Sequence, residues 1–222
     1  MPVHLFDRGS LAATPWKNGG GVTREIACRY PASDRGDRGD RGDRGDRGDR
    51  GDRGDRGDDK FPPFDWRLSI AHIASDGPFS AFDGIDRVIT LLEGGGVRLQ
   101  SADGSIDHRL TQPLVPFAFP GEVPIQGTLL AGDCHDFNVM TRRDRCRATV
   151  GIVRDGGQLP ASPDGLLMAV HGQWCVSSAR GDSHTLRPDT GVWWDGLREP
   201  WQVERLPGSP DNALLVVNIE YR

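Results

Sequence analysis

The segment at 64–73 carries the strongest candidate for anion binding. It reads FDWRLSIAHI, and this alternation of apolar and polar residues predicts a β-strand. Arg67 and Ser69 are two positions apart and therefore lie on one face of the strand. An arginine placed there can hold a carboxylate through two parallel hydrogen bonds, and the serine hydroxyl can add a third. The alternative is that this face is merely solvated, or that Arg67 pairs with an acid such as Asp83 or Asp86.

A second candidate lies near the N-terminus, in the segment WKNGGGVTRE at 16–25. Three consecutive glycines allow close backbone approach, and their free N–H groups can form an anion nest. Lys17 adds a positive charge, Asn18 a donor and an acceptor, and Thr23 a hydroxyl. A carboxylate or formyl oxygen would suit this cradle. The competing interpretation is a glycine-rich turn that opens the first strand, with Lys17 solvated.

A third candidate is the alternating segment DFNVMTRR at 136–143, in which Asp136 and Asn138 share a face. Inside a barrel, such polar groups are costly unless they are paired or bound to a ligand. We expect Asp136 to pair with Arg67 and orient it for an anion. Asp136 can also serve as a general base if burial raises its pKa.

The segment GPFSAFDGIDR at 77–87 is interpreted mainly as structural. Phe79 and Phe82 are expected to plug one end of a barrel, and Gly84 to form the turn before the next strand. Arg87 can reach the pocket or cap nearby carbonyl groups. The structural interpretation is preferred here.

Signatures of other chemistries are missing from the sequence. None of the six histidines forms a His-x-His pair, so we expect no metal, and His72 is interpreted as a core or surface histidine. The four cysteines contain no C-x-x-C pair. Cys134 and His135 are adjacent, so in a strand they point to opposite faces and do not form a dyad. There is no G-x-S-x-G elbow, P-loop or dinucleotide fingerprint, and we expect no cofactor.

The elements that position these residues are predicted to be short strands. Many alternating or β-branched segments follow one another at short spacing, with Gly and Pro between them, which is typical of an antiparallel sandwich or barrel. The sequence therefore predicts an all-β protein. Trp193, Trp194 and Trp201 supply large apolar surface late in the chain. Core packing or a dimer contact is favoured for them over a ligand platform, so a homodimer stays open.

Composition excludes several classes of partner. The chain of 222 residues has a net charge of −5, which does not favour nucleic acid. No window approaches the roughly 18 apolar residues that a membrane helix needs. The first twenty residues lack the pattern of a secretory signal, so we expect a cytoplasmic protein with free thiols.

Eight consecutive Asp-Arg-Gly triplets occupy residues 34–57. The tract has no apolar residue to bury, so its ordering entropy is not offset and disorder is expected. Collagen-like, RNA-binding and cell-attachment interpretations are weaker, because the tract lacks proline, each Arg has an Asp neighbour, and no export signal is present. We expect a disordered insertion at 34–59 between two strands.

Four segments, in this order, resemble the HutD/Ves family: WKNGGGVTRE, FDWRLSIA, GPFSAFDGIDR and DFNVMTRR. The resemblance runs from about residue 4 to the C-terminus and is strongest through Arg143. It implies a bicupin, with two small antiparallel jelly-roll barrels in one chain. The expected boundaries are 1–143 for the N-terminal barrel, which contains the insertion, and 144–222 for a smaller half that closes with the C-terminal strand.

The resemblance also implies an association with bacterial histidine utilisation. The resulting expectation is a metal-free bicupin that binds a small anionic metabolite, formylated or carboxylated, and modulates the pathway. The expected ligand contacts are Lys17, Asn18, Thr23, Arg67, Ser69, Asp136 and Asn138. The alternative is a metal-independent isomerase or hydrolase that uses Asp136 or His72. A third interpretation is an interaction module that uses the triplet tract or the late tryptophans.

Overall fold

The computed structural model describes residues 3–31 and 64–222, so the expected insertion at 34–59 lies outside the described residues. The described part of the chain contains nineteen β-strands and one 3-10 turn at Arg8–Ser10. None of its helices is long and apolar enough to cross a membrane. The strands are β1 (Val3–Asp7), β2 (Ala13–Pro15), β3 (Gly21–Arg29), β4 (Trp66–Ile73), β5 (Gly77–Phe79), β6 (Ile85–Gly94), β7 (Val97–Ser101), β8 (Asp107–Leu110), β9 (Pro116–Pro120), β10 (Ile125–Leu129), β11 (Cys134–Arg142), β12 (Cys146–Val153), β13 (Gly157–Ser162), β14 (Asp164–His171), β15 (Trp174–Ser178), β16 (Ser183–Leu186), β17 (Thr190–Trp194), β18 (Glu199–Arg205) and β19 (Ala213–Tyr221).

These strands form four antiparallel sheets. Sheet I has the order β2-β3-β4-β11-β6-β9, and sheet II has the order β5-β10-β7-β8. Sheet III has the order β1-β17-β14-β19-β12, and sheet IV has the order β13-β18-β15-β16. The predicted all-β, antiparallel class is confirmed.

The alternation in β4 produces two different faces of sheet I. Trp66, Leu68 and Ile70 are fully buried on the face towards sheet III, where they join side chains of β14 and β19. Arg67 and Ser69 lie on the opposite face, towards sheet II, as the period of two requires. Burying each large apolar side chain stabilises the fold by roughly 1.5–3 kcal/mol, which fixes the register of the strand.

Apolar clusters lie between successive sheets and give the layer order II, I, III, IV. The cluster between sheets I and II includes Ile89, Leu91 and Leu99. The cluster between sheets III and IV contains Trp174, Trp194 and Trp201, all at most 1% exposed. The late tryptophans Trp194 and Trp201 therefore serve core packing, as the preferred interpretation expected.

The first strand of the described chain belongs to a late sheet. β1 pairs with β17, with Leu5 opposite Val192. The expected division of the chain assigned residues 1–143 to the first half. Here the strand that opens that half is an edge strand of sheet III, whose other strands come from residues 146–221. The boundary at 143/144 stays a prediction.

A buried carboxylate links sheets I and III. Asp164 is fully buried and accepts hydrogen bonds from Trp66 Nε1 on β4 (2.6 Å), the Tyr221 hydroxyl (2.6 Å) and the backbone N–H of Gly196 (2.7 Å). Arg29 at the end of β3 approaches the same carboxylate at 3.5 Å. This network ties the β3 and β4 strands to the C-terminal strand, so the two pairs of sheets are held in fixed relation.

Candidate functional site

The face of sheet I towards sheet II carries polar residues in consecutive rows. Residues opposite each other in an antiparallel pair point to the same side. Met140 on β11 lies opposite both Arg67 on β4 and Arg87 on β6, so two arginines flank one methionine in the sheet. In the next row, Asn138 lies opposite Ser69.

Arg67 is held by an acid from the neighbouring strand. Its Nε donates to Glu25 Oε2 at 2.7 Å, with side-chain exposures of 27% and 46%. Glu25 is the acid partner of Arg67, a role that the sequence suggested for Asp136, Asp83 or Asp86. It lies opposite Ser69, next to Arg67 in the sheet. The expected orientation of Arg67 by Asp136 is therefore wrong. The partial exposure of this ion pair makes it the solvent-facing side of the cluster.

Arg87 is buried and has neutral hydrogen-bond partners. Nη2 donates to Asn138 Oδ1 at 3.1 Å, and Nη1 donates to the Ser80 carbonyl at 3.3 Å. Its guanidinium carbon lies 5.1 Å from the ring centroid of Phe119 and 5.6 Å from that of Phe79. Within the described chain, Nε has no partner and no salt bridge reaches this arginine. Burial lowers its pKa to about 10, while the charge of Asp136 acts in the opposite direction.

Asp136 is also buried, at 1% exposure. Asn138 donates from Nδ2 to Asp136 Oδ2, while its own Oδ1 accepts from Arg87. The other oxygen, Oδ1, lacks a partner in residues 3–31 and 64–222. Burial raises the pKa of Asp136 to about 7, because the charge of Arg87 and the hydrogen bond from Asn138 offset the desolvation only in part.

The glycine loop before β3 is a turn with most of its donors in use. Gly19, at φ +70°, donates its N–H to the Trp16 carbonyl (2.9 Å), and Gly20 donates to Asn18 Oδ1 (3.0 Å). Lys17 and Asn18 are exposed. The turn interpretation therefore describes the loop better than the anion nest, because these two N–H groups are already bonded.

Thr23, by contrast, is half-buried. It occupies the same row of sheet I as Asp136, with Ala71 of β4 between them. Its hydroxyl accepts a hydrogen bond from Trp16 Nε1 at 2.8 Å. The structure thus brings Thr23, Arg67, Ser69, Asp136 and Asn138 to one face of sheet I, and leaves the two loop residues outside it.

Two residues of the cluster were not predicted as ligand contacts, Arg87 and Glu25. Both have a signal in the sequence. In IDRVITLL, Arg87 alternates with the apolar Ile89 and Leu91, so it shares their inward face. Glu25 lies in the same glycine-rich segment as Thr23, two residues further on and hence on the same face of the strand before the bulge.

The histidines and cysteines lie apart from this cluster or are unreactive. His72 stacks on His135 with ring centroids 4.4 Å apart, and its Nε2 is 2.7 Å from Asp133. In the described residues, no three His, Cys, Asp or Glu side chains are arranged to hold a metal. All four cysteines are free thiols, and burial raises the pKa of Cys28 and Cys134 to about 12.

A surface depression of about 460 Å³ lies over sheet II and carries a different chemistry. It is lined by uncharged residues that include Pro78, Gln100, Pro124 and Gln126. Without an ionisable side chain, it does not provide the charge that an anion requires. The buried cluster on sheet I remains the candidate site.

Comparison with known proteins identifies the family. A family model described as HutD matches residues 50–206. Protein Ves of Cronobacter sakazakii is 34% identical over 193 residues, which cover 86% of this chain and 87% of that protein. Two solved structures cover 100% of both chains: the conserved protein of unknown function PA5104 from Pseudomonas aeruginosa PAO1 (26% identity, TM-score 0.75) and HutD from Pseudomonas fluorescens SBW25 (25%, 0.71). Protein Ylba from E. coli (TM-score 0.65) and an oxalate decarboxylase (TM-score 0.58) match at 8% identity, and this likeness shows the cupin fold alone. This chain has a cupin fold and belongs to the HutD/Ves family.

Proposed function

We propose that this protein binds a small carboxylate-bearing metabolite between sheets I and II and thereby modulates histidine utilisation. The observation that carries the proposal is Arg87, a buried guanidinium whose hydrogen-bond partners among the described residues are neutral oxygens. A buried charge is costly unless an opposite charge compensates it. A bound anion would supply that compensation.

Arg67 provides the second arm of the proposed site. It flanks Met140 from the other side, and it lowers the pKa of Arg87 through the repulsion between the two cations. An anion placed between the two guanidinium groups relieves this repulsion and can accept hydrogen bonds from both. Ser69 and Asn138, one row further in, are the proposed neutral contacts.

The remaining expected contacts have smaller proposed roles. Thr23 lies in the row of Asp136 and stays in the ligand set. Lys17 and Asn18 are exposed in the loop, where Lys17 contributes long-range attraction and neither side chain makes a buried contact. We propose that the ligand enters beside Arg67 and Glu25, because this part of the cluster is exposed to solvent.

The family supports both the ligand class and the pathway. HutD of Pseudomonas fluorescens was solved in a formate condition, and formate is the smallest carboxylate. The HutD family is associated with histidine utilisation, whose intermediates are carboxylic acids. We therefore propose formate, formylglutamate and urocanate as the ligands to test, in a cytoplasmic protein that needs no metal or cofactor.

A second candidate function is a metal-independent isomerase or hydrolase. The observation that favours it is Asp136, a buried carboxyl with a pKa of about 7, which suits a general base near neutral pH. His72 does not share this site, because it pairs with Asp133 at the end of β4. Product formation from a pathway intermediate, lost in Asp136→Asn, is the result that this alternative requires.

The test is a thermal-shift titration of the full chain with formate, formylglutamate, urocanate, histidine, glutamate and divalent metals. A ligand that binds only the folded state raises the melting temperature by mass action. We expect a shift with one of the three proposed acids, and none with that acid in Arg87→Met. A shift with metals alone, or an equal shift in the Arg87 variant, would contradict the proposal.

A further inference from the structure

We infer that an anion bound between sheets I and II takes up one proton from solvent with it, and that this proton resides on Asp136. The inference rests on the proposed function and specifies how pH regulates the same site. It follows from a single amide that contacts both buried charges. No bond of the ligand breaks in this step: an anion and a proton enter together, and the net charge of the site is unchanged.

Asn138 is the residue that couples the two charges. Its Oδ1 accepts from Arg87 Nη2 at 3.1 Å, and its Nδ2 donates to Asp136 Oδ2. The positive and the negative group therefore sit at opposite ends of one side-chain amide. In the ligand-free protein, this arrangement lets each charge partly compensate the other.

Ligand binding removes that compensation. An anion on Arg87 neutralises the guanidinium, and Asp136 is then left as a second negative charge at 1% exposure. Keeping two anions together in a buried site costs far more than protonating one of them. Asp136 Oδ1 has no partner among the described residues, so this oxygen is free to carry the proton and can then donate it in a hydrogen bond to the anion.

Apart from Arg87 on β6, the titratable groups on the elements packed around Asp136 have other partners or stay neutral. Those groups are Arg67 on β4, Glu25 on β3, Cys134 on its own strand and His108 on the opposing sheet II. Arg67 and Glu25 form their own ion pair. Burial raises the pKa of Cys134 to about 12, so this thiol stays neutral. His108 stacks on Phe117, with ring centroids 3.8 Å apart, and is the residue to test as a competing proton acceptor.

The expected pH profile follows from the titration of Asp136. Its pKa is raised to about 7 without ligand, and a bound anion raises it further. Below this value Asp136 is protonated in both states, so affinity is highest and independent of pH. Above it, binding requires proton uptake, and the association constant falls up to tenfold per pH unit.

The experiment is calorimetric titration of the full chain with formate, which stays ionised from pH 5.5 to 9. Titrations at pH 8 in HEPES and in Tris, whose ionisation enthalpies differ, count the protons taken up. We expect close to one proton at pH 8 and close to none at pH 5.5. This count needs no variant, so it stands even if a substitution impairs folding.

Two variants locate the proton. In Asp136→Asn, we expect the buffer dependence and the pH slope to disappear. In the control His108→Gln, both should persist. Formate binding without proton uptake would overturn this inference and leave the proposed function in place, as would proton uptake that survives in Asp136→Asn. If none of formate, formylglutamate and urocanate binds at any pH, the proposed function is overturned as well.

Discussion

The two interiors of this molecule are built from the same kind of paired sheets but are filled differently. Between sheets III and IV, indole rings occupy the centre, and Trp194 packs 5.1 Å from Trp201 between ring centroids. Between sheets I and II, the corresponding space holds two arginines, an aspartate and an asparagine beside the apolar cluster. One interior is filled by apolar side chains, and the other contains buried polar and charged side chains.

This difference shows that an interior can carry charge when a neighbouring interior supplies stability. Buried charges contribute little to stability and often lower it. The rows of Arg67, Arg87 and Asp136 are tolerated because sheet I is anchored on its other face by fully buried residues such as Trp66 and Phe137. The separation between an apolar interior and a charged interior leads to four predictions, which begin with the largest effect.

Trp194→Ala should destabilise the protein by about 3–5 kcal/mol, because it leaves a large cavity between sheets III and IV. Urea denaturation at pH 7 measures this loss. Formate affinity of the folded protein should stay within about twofold, since no residue of the candidate site contacts this core. A loss of affinity as large as the loss of stability would show that the two interiors are not separate.

Arg87→Met should weaken formate binding by about 2–5 kcal/mol, the cost of removing one partner of a buried charge pair. At pH 5.5, where Asp136 is protonated, the melting temperature of the ligand-free protein should not fall, because a buried cation is replaced by an apolar side chain of similar length. Calorimetry and thermal unfolding of the same samples separate the two effects. Unchanged affinity would remove Arg87 from the site.

Asp136→Asn should make the ligand-free protein more stable above pH 7. The folded-state pKa of about 7 lies above the ordinary value of 3.8, so the native state holds a proton that the unfolded chain releases. The stability contributed by this carboxyl is full below about pH 4 and is lost as the pH rises to 7. The variant avoids this loss, with a gain on the order of a few kcal/mol at pH 8.

The measurement is the free energy of unfolding of both proteins at pH 4.5 and pH 8. The difference between them should be small at the lower pH. An equal difference at both values would mean that Asp136 does not titrate with a raised pKa.

Arg67→Ala should produce the smallest binding effect, about 1 kcal/mol, because the side chain is partly exposed and is already paired with Glu25. Raising the salt concentration should shrink this effect further. Lys17→Ala is the matched control, since it removes an exposed cation and should leave the affinity within about twofold. If Lys17→Ala cost as much as Arg67→Ala, the glycine loop would belong to the site.

The sequence predicted strands such as β4 because apolar side chains recur there at every second position. In β4, the apolar residues at every second position are all buried in only one register. Burial of Trp66 and Leu68 against sheet III therefore directs Arg67 and Ser69 towards sheet II. The same logic placed Asp136 and Asn138 together. Periodicity is thus sufficient to predict which side chains share a face.

Pairing between strands was beyond this kind of prediction. β3 has a register shift between Glu25 and Ala27, and β11 has one between His135 and Asp136. Such bulges decide which polar side chains face each other across strands, and they leave no periodic signal. Arg67 was therefore matched with Asp136 instead of Glu25, and Arg87 was assigned to a structural role.

The pairing of β1 with β17 has a consequence for the order in which the protein is synthesised. Leu5 and Val192 are 187 residues apart in the chain, so Leu5 leaves the ribosome long before the residue with which it pairs. At roughly 5–20 residues per second, about 10–40 seconds pass between the synthesis of the two strands. Sheet III therefore acquires its edge strand β1 only after β17 has been synthesised.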